Sequence, residues 1–380
     1  MKDIDIAVIR GDGIGPEIIE EGLKVVKTAA KVAGRTIKFT EYPFGSNFYF
    51  KNGVAMPDNA TEELKQHDAI YFGAVGDPNV PPGVLEGQLI LKMRYDLDQY
   101  INLRPVKLYP GVPTRVKDLE PLEFFMVREN LEDFYIGVGQ HLDPGNTDYK
   151  VNLKLHRALY DMLFDMDVKV TSEDEYAFNM GVISRKNTER VMKYAFELAE
   201  KKGKKLVTAV DKCNVLPQMY NLWRDVFQKE AAKHPGLETE MSFADAVNMW
   251  ILKEPEKFGV VILPNLMGDI LSDLGAMVAG GLGFAAGGNI NPEGVSMFEP
   301  IHGSAPKYAG KNVINPVATI GSAVLMFEQL GEDQLAGMIE KGIWETMAEG
   351  KVKTRDMGGT ATCSDVGDAI SAKVIELFDK

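Results

Sequence analysis

One stretch limits the folds open to this chain of 380 residues more than any other, and it runs from Val260 to Leu274. Val260, Val261, Ile262 and Leu263 form a short apolar run that reads as a buried strand. Pro264, Asn265 and Gly268 interrupt it, and a helix-period segment follows. Asp269 and Asp273 are four residues apart, so on a helix their carboxylates share one face. No Lys or Arg occurs between Asp269 and Gly283, so the pair lacks a basic partner on its own segment. When solvated, such a like-charged pair costs only about 0.2–0.5 kcal/mol. Flanked by Ile270, Leu271 and Leu274 it is expected to be part-buried, where the cost rises steeply. A divalent cation would offset it, and hard oxygen ligands select Mg²⁺ or Mn²⁺.

The rest of the chain supplies the company such a pair needs. Strand and helix patterns alternate throughout, which predicts an α/β fold. Ile4 to Ile9 reads as a first strand, followed by Gly11, Gly13, Gly15 and Pro16 and then by a helix through Ile18, Gly22, Val25 and Val26. The third glycine of a dinucleotide fingerprint would fall on Pro16, so that assignment fails; proline suits a helix's first turn instead. Ala69–Val75 is another strand, and Leu85–Arg94 is helix-like. Arg104 precedes Pro105 and is therefore extended. Phe124–Val127 is a strand ending in Arg128-Glu129. Arg94, Arg104 and Arg128 each lie near the edge of an apolar element, where guanidinium forks can converge on a substrate's carboxylates.

Between Tyr135 and Asn152 the pattern lapses, which suggests an arm or an exposed hairpin. Asn187 to Lys202 is an amphipathic helix with Val191, Tyr194, Ala195 and Leu198 inward. Lys205–Val210 is a strand delivering Lys212, a position where desolvation would ease loss of the ammonium proton. Met297 to Gly310 reads as a loop rich in Gly and Pro and carrying His302, with Ile314-Asn315-Pro316 opening the next helix.

Bulk properties exclude several classes. The net charge of −13 argues against nucleic acid as a partner. No apolar run approaches the ~20 residues of a membrane span. Met1 to Asp5 lacks a signal peptide's apolar core, and Cys213 and Cys363 make no disulfide framework, so a reduced cytoplasmic enzyme is expected.

Certain residues, taken together, resemble the β-decarboxylating dehydrogenases, the family of isopropylmalate, isocitrate, homoisocitrate and tartrate/D-malate dehydrogenases. They are Gly11–Glu17, Asn102-Leu103-Arg104-Pro105, Arg128-Glu129 with Tyr135, Lys212 with Asn214, Asn265–Asp273 and Glu299–Pro306. The resemblance implies a two-domain α/β fold that is not of the Rossmann type. Residues 1–100 with 258–380 would form a large cofactor-binding domain, and 101–257 a small domain with a dimer clasp. It implies that Arg94, Arg104 and Arg128 hold the substrate's carboxylates. Asp269, Asp273 and Asp245 would bind Mg²⁺ or Mn²⁺, with Asp245 and Lys212 supplied by the second subunit of a homodimer whose active site is shared. Tyr135 and Lys212 would be the acid–base pair. Glu299, His302, Gly303, Ser304, Ala305 and Asn315 would line the dinucleotide.

Retention of all these groups favours an enzyme over a silent regulatory subunit. Glu86, Ile90, Leu91 and Arg94 match the isopropylmalate type of substrate helix, and Ile90 and Leu91 offer an alkyl group an apolar surface. Isocitrate enzymes have Ser and Asn where Gln88 and Ile90 stand. Arg128–Tyr135 looks isocitrate-like, however, and Gly73–Pro78 with Asn291–Gly294 tartrate/D-malate-like. Lys307-Tyr308 resembles the NADP-dependent members, a lysine favouring the 2′-phosphate where NAD users carry an acid. Arg355 would add a second positive contact.

Overall fold

In a computed structural model, residues 3–145, 148–170 and 174–379 are described; Met1 and Lys2 of the amino-terminal reading lie outside them. The first strand, β1 (Ile4–Gly11), runs into α1 (Gly15–Val32), whose first turn holds Pro16 as expected. β2 (Ile37–Tyr42), α2 (Ser46–Asn52), α3 (Ala60–Leu64) and β3 (Ala69–Ala74) follow. The helix-like Leu85–Arg94 segment is a π-helical turn, Glu86–Leu91, continuing into α4 (Lys92–Asp96).

Then come β4 (Ile101–Leu108) and β5 (Leu122–Glu129), which put Arg104 and Arg128 in extended backbone. The region read as an arm is strand-rich: β6 (Asp133–Leu142) pairs with β9 (Tyr176–Val182), and β7 (Asp148–Arg157) with β8 (Tyr160–Lys169). Part of that reading, residues 146–147, lies outside the described residues. α5 (Arg185–Lys201), β10 (Leu206–Asp211), α6 (Pro217–Ala231), β11 (Glu238–Phe243) and α7 (Ala244–Lys253) complete the centre of the chain. The stretch around Asp269 is as expected, with β12 (Val260–Leu263) feeding α8 (Asn265–Val278). β13 (Ala286–Ile290), β14 (Ser296–Pro300), α9 (Val317–Gln329), α10 (Asp333–Glu349) and α11 (Cys363–Phe378) end the chain.

One expectation is corrected here. Met297, Phe298, Glu299 and Pro300 are not loop but the body of β14, paired on one side with β13 and on the other with β3. Pro300 sits at the strand's end, where its missing N–H does least harm to the ladder. The loop therefore begins at Ile301.

Ten strands form one mixed sheet in the order β11-β10-β12-β5-β4-β13-β14-β3-β1-β2. Its two flanks are parallel, and the inner strands β1, β3, β10 and β12 are apolar because helices cover both faces, whereas the edge strands β2 and β11 carry exposed polar residues. The middle, β5-β4-β13-β14, is antiparallel. Chain order is interleaved across it: β12 and α8, from residues the sequence groups with the large domain, lie beside β10 and β5. Side chains on β1, β3, β5, β10 and β12 pack with those of α1, α5, α6, α9, α10 and α11 in the main core. Among the described residues no helix is long and apolar enough to cross a membrane.

The glycines of the first loop serve close packing. Gly11 has φ +69°, and a Cβ there would meet the Ala74 carbonyl oxygen at 1.9 Å. Gly11→Ala should destabilise the fold by about 1–2 kcal/mol for the left-handed backbone, with a further ~1–3 kcal/mol for the clash. A denaturant midpoint equal to the wild type's would contradict this.

Candidate active site

The C-terminal end of β5, the first half of antiparallel β4 and the starts of β6 and α8 meet around Asp269. Its Oδ1 accepts from Arg104 Nη2 at 3.1 Å and from Arg128 Nη1, and its Oδ2 accepts from the Tyr135 hydroxyl at 2.6 Å. The basic partners missing from its own helix thus arrive from β4 and β5. Arg128 is held in place by Asn265 Oδ1, which accepts from Nε at 2.9 Å and Nη2 at 2.7 Å. Gly268 makes room for it, since a Cβ there would lie 2.6 Å from Arg128 Cγ. The guanidinium also lies 5.0 Å from the centre of the Tyr135 ring.

These contacts set the protonation states. Burial alone would raise the Asp269 carboxyl, but the guanidiniums of Arg128 and Arg104 override it and hold it below the usual carboxylate range. Burial pulls Arg104 down to about 10, with Arg128 adding to the effect, so it stays charged near neutrality. Burial raises the Tyr135 phenol, opposed by Arg128 and reinforced by its hydrogen bond to Asp269, so it keeps its proton. The Asp273 carboxyl is raised by burial against the pull of Arg104, whose Nη1 is 3.9 Å away. Asp269 is 40% and Asp273 64% exposed.

A cavity of about 330 Å³ opens onto this cluster. Its polar wall is Arg94, Arg104, Arg128, Tyr135, Asp269, Glu299 and Glu86; its apolar wall includes Val75, Ile90, Leu91 and Ile301. Gln88 turns away, its Oε1 accepting from the backbone N–H of Ala55 at 2.9 Å. Arg94 is buried 3.5 Å from Glu299 Oε1. Val75 and Ile301 are pocket residues that sequence reasoning missed, because nothing local sets them apart from core residues.

A second cleft, of about 610 Å³, adjoins the first through His302 and Gly303. Ile14, Leu282, Ala305, Tyr308, Asn315, Arg355 and Asp356 also line it. His302 Nε2 is buried without a hydrogen-bond partner, and burial lowers its imidazole's affinity for a proton. The carbonyl of buried Ser304 accepts from the Ile14 N–H at 2.9 Å, tying the glycine-rich loop to this one. Lys307 is exposed outside the lining, with Nζ 4.9 Å from the Tyr308 ring centre.

Two expected site residues lie apart from this cluster. Lys212 Nζ pairs with Asp245 Oδ1 at 2.5 Å, and the two side chains are 30% and 67% exposed. Lys212 is therefore not desolvated by its own chain, contrary to expectation. Asp245 is held below the usual carboxylate range by its hydrogen bond from Lys212. Among the described residues no three side chains of His, Cys, Asp or Glu gather as a metal cluster.

The fold is that of the isocitrate/isopropylmalate dehydrogenases. An isocitrate dehydrogenase from Methylococcus capsulatus superposes with a TM-score of 0.83 at 30% identity, covering 98% of this chain and 99% of that one. The family model for isocitrate/isopropylmalate dehydrogenase matches residues 5–370, and the chain belongs to that family. A 3-isopropylmalate dehydrogenase of Thermobifida fusca (strain YX) is 41% identical over 379 residues, covering 99% of each chain. A probable tartrate dehydrogenase/decarboxylase of Bacillus subtilis (strain 168) is 37% identical over 381 residues, again covering 99% of each.

Beneath the cluster lies a buried acid pair. Glu129 accepts from the N–H groups of Leu131 and Glu132 and from Asn187 Nδ2, while Glu132 accepts from Ser184. Burial, with Glu132 beside it, pushes Glu129 up to about 8. A carboxyl raised on folding lends stability below its unfolded value near 4.5, and that stability is lost as pH rises toward 8. Denaturant unfolding of the wild type should show stability falling across that window, and Glu129→Gln should flatten the slope. An unchanged slope in the variant would remove Glu129 as its source.

Proposed function

We propose that this chain oxidises and decarboxylates a 2-hydroxy acid bearing a carboxylate on C3, with hydride passing to a nicotinamide dinucleotide. The observation that carries this reading is a single cavity walled by three arginines, a proton-holding tyrosine and the acids Asp269, Glu299 and Glu86, with apolar side chains opposite. Arg94, whose buried Nε has no hydrogen-bond partner, leaves guanidinium donors open on this wall, which suits a substrate's carboxylate. Carboxylate oxygens one helical turn apart are hard donors, so Asp269 and Asp273 suit Mg²⁺ or Mn²⁺, with Asp245 coming from a second copy of the chain. The ion, when bound, supplies Lewis acidity toward the substrate's hydroxyl and C1 carboxylate. The cleft beside His302 has the size for a dinucleotide, which when bound accepts the hydride.

Arg94, Arg104 and Arg128 would then hold the two carboxylates, with Asp269 keeping Arg104 and Arg128 aimed. Lys212 of a second copy, shedding its own proton once the partner's cavity desolvates it, would take the hydroxyl proton as hydride leaves C2. The ketone so formed is β to the C3 carboxylate, and that C–C bond breaks with loss of CO₂. Tyr135 delivers its proton to C3. Exposed Met249 and Leu252 on α7, with Leu266, Ile270 and Met277 on α8, support burial against a second copy, which would also bring Lys212 and Asp245 to a partner's cavity. In this reading the large domain is 1–100 with 258–380 and the small one 101–257, with the paired ribbons β6–β9 and β7–β8 as its clasp.

For the substrate we take 3-isopropylmalate or a related 3-alkylmalate. Ile90 and Leu91 face the cavity, and burying a small alkyl group there is worth roughly 1–3 kcal/mol. Glu86 on the same wall would repel the third carboxylate of isocitrate. It would accept a hydrogen bond from a second hydroxyl, which favours tartrate as the alternative. With Mn²⁺, kcat/KM should be highest for 3-isopropylmalate over D-malate, tartrate and isocitrate, and EDTA should abolish turnover. Tyr135→Phe and Lys212→Met should each lose at least about 10²-fold in kcat with folding intact. Preference for another acid replaces the substrate, and wild-type rates in either variant remove that residue's role.

For the cofactor we take NADP. Arg355 is on the cleft's wall and Lys307, outside the lining, is next in the chain to the wall residue Tyr308; both are positive toward a 2′-phosphate. Lys307→Asp and Arg355→Ala should each lower the NADP/NAD ratio of kcat/KM, Arg355→Ala more. Unchanged ratios in both would return the choice to NAD.

A further inference from the structure

Arg104 and Glu299, two walls of the first cavity, are joined under the sheet's surface by a row of amide side chains. Asn102 and Asn289 are directly opposite partners on antiparallel β4 and β13. Arg104 is two residues along β4 from Asn102, and Glu299 on β14 lies opposite Gly287, two residues from Asn289. With a period of two, all four side chains share one face. Gly287 carries no side chain, which leaves the diagonal from Asn289 to Glu299 open.

The hydrogen bonds run in one direction. Arg104 Nε donates to Asn102 Oδ1 at 2.6 Å, Asn102 Nδ2 donates to Asn289 Oδ1 at 2.8 Å, and Asn289 Nδ2 donates to Glu299 Oε1 at 2.7 Å. Glu299 Oε1 in turn faces Arg94 Nη2 at 3.5 Å. Every member is buried. The direction is fixed chemically, because a guanidinium has only donors and a carboxylate only acceptors. With those two at the ends, neither amide can flip without setting like against like. Aligned bonds of this kind polarise one another in a low-dielectric interior.

We propose that Asn289 is a positioning residue that links the substrate arginines to the cofactor side of the site through this oriented amide row. This rests on the function proposed above. Arg104 touches Asp269 at one end, and at the other Glu299, on the wall of the first cavity, is followed three residues on by His302 and Gly303, which border both cavities. Asn289 is the hub, since Asn130 Nδ2 also donates to its Oδ1, at 3.0 Å. Occupation of one cavity therefore shifts the lateral position of the charged groups in the other.

Asn289→Asp tests the donor directly, since the new carboxyl must keep a proton to go on donating to Glu299. The variant should approach wild-type affinities at low pH. A new ionisation should then appear, above which substrate KM and dinucleotide Kd both rise at least tenfold. The dinucleotide Kd is read by fluorescence titration without turnover. Should that variant not fold, Asn289→Ser, too short to span the row, should raise both constants tenfold at all pH values. Asn130→Ala, which removes a side branch, should leave both within twofold even if it melts earlier. Variants that lose thermal stability but keep both constants and the wild-type pH profile would overturn the proposal. A wild-type protein that binds no dinucleotide would instead strike the function on which it rests.

Discussion

A carboxylate shared by two buried guanidiniums and a phenol is the interaction on which the site depends. Removing an ion from water costs several kcal/mol, and the loss is offset only where partners are close and well directed. Asp269 supplies that condition for Arg104 and Arg128 together, and Tyr135 donates to its second oxygen. Each partner comes from a different strand, so the start of α8 can sit only where β4, β5 and β6 already lie. The helix gives up ordinary side-chain bulk at Gly268 to let Arg128 pass, and Asn265 locks the far side of that guanidinium. The charge cluster is thus a packing constraint as much as a chemical one.

The sequence revealed periods well and partners poorly. β12 and α8 were legible because a β-branched run, a proline and a helical spacing are all local signals. Arg104 was legible as extended from Pro105 alone. The absence of a basic partner on Asp269's own segment was legible, but not that its partners come from β4 and β5, 165 and 141 residues away along the chain. Glu299 and Pro300 were misread as loop since their composition is that of turns, while the strand they form is dictated by the ladders of β13 and β3. Lys212 illustrates the same limit. A position just past a buried strand fixes where the residue emerges, not what will cover it. Asn289 carried no signal at all, because an asparagine within a glycine-rich run looks like turn chemistry until its cross-strand neighbour is known.

The resemblance and the geometry carry different parts of the argument. Motif spacing identified the family, and the family model bears this out along residues 5–370. Geometry separates side chains that the motif treats as one block. On the helical segment Glu86–Asp96 Ile90 and Leu91 face the cavity whereas Gln88 turns toward Ala55. In the second cleft Tyr308 and Arg355 form wall while Lys307 remains outside. Selectivity belongs to the side chains that point inward, whichever motif they came from.

The ten-stranded sheet is unbroken from β11 to β2, with no flexible linker dividing its halves. Its flanks are therefore tied to one another through the ladder between β4 and β13 rather than through a loop. A shift of one flank relative to the other is felt as a change in the coil of the shared strands.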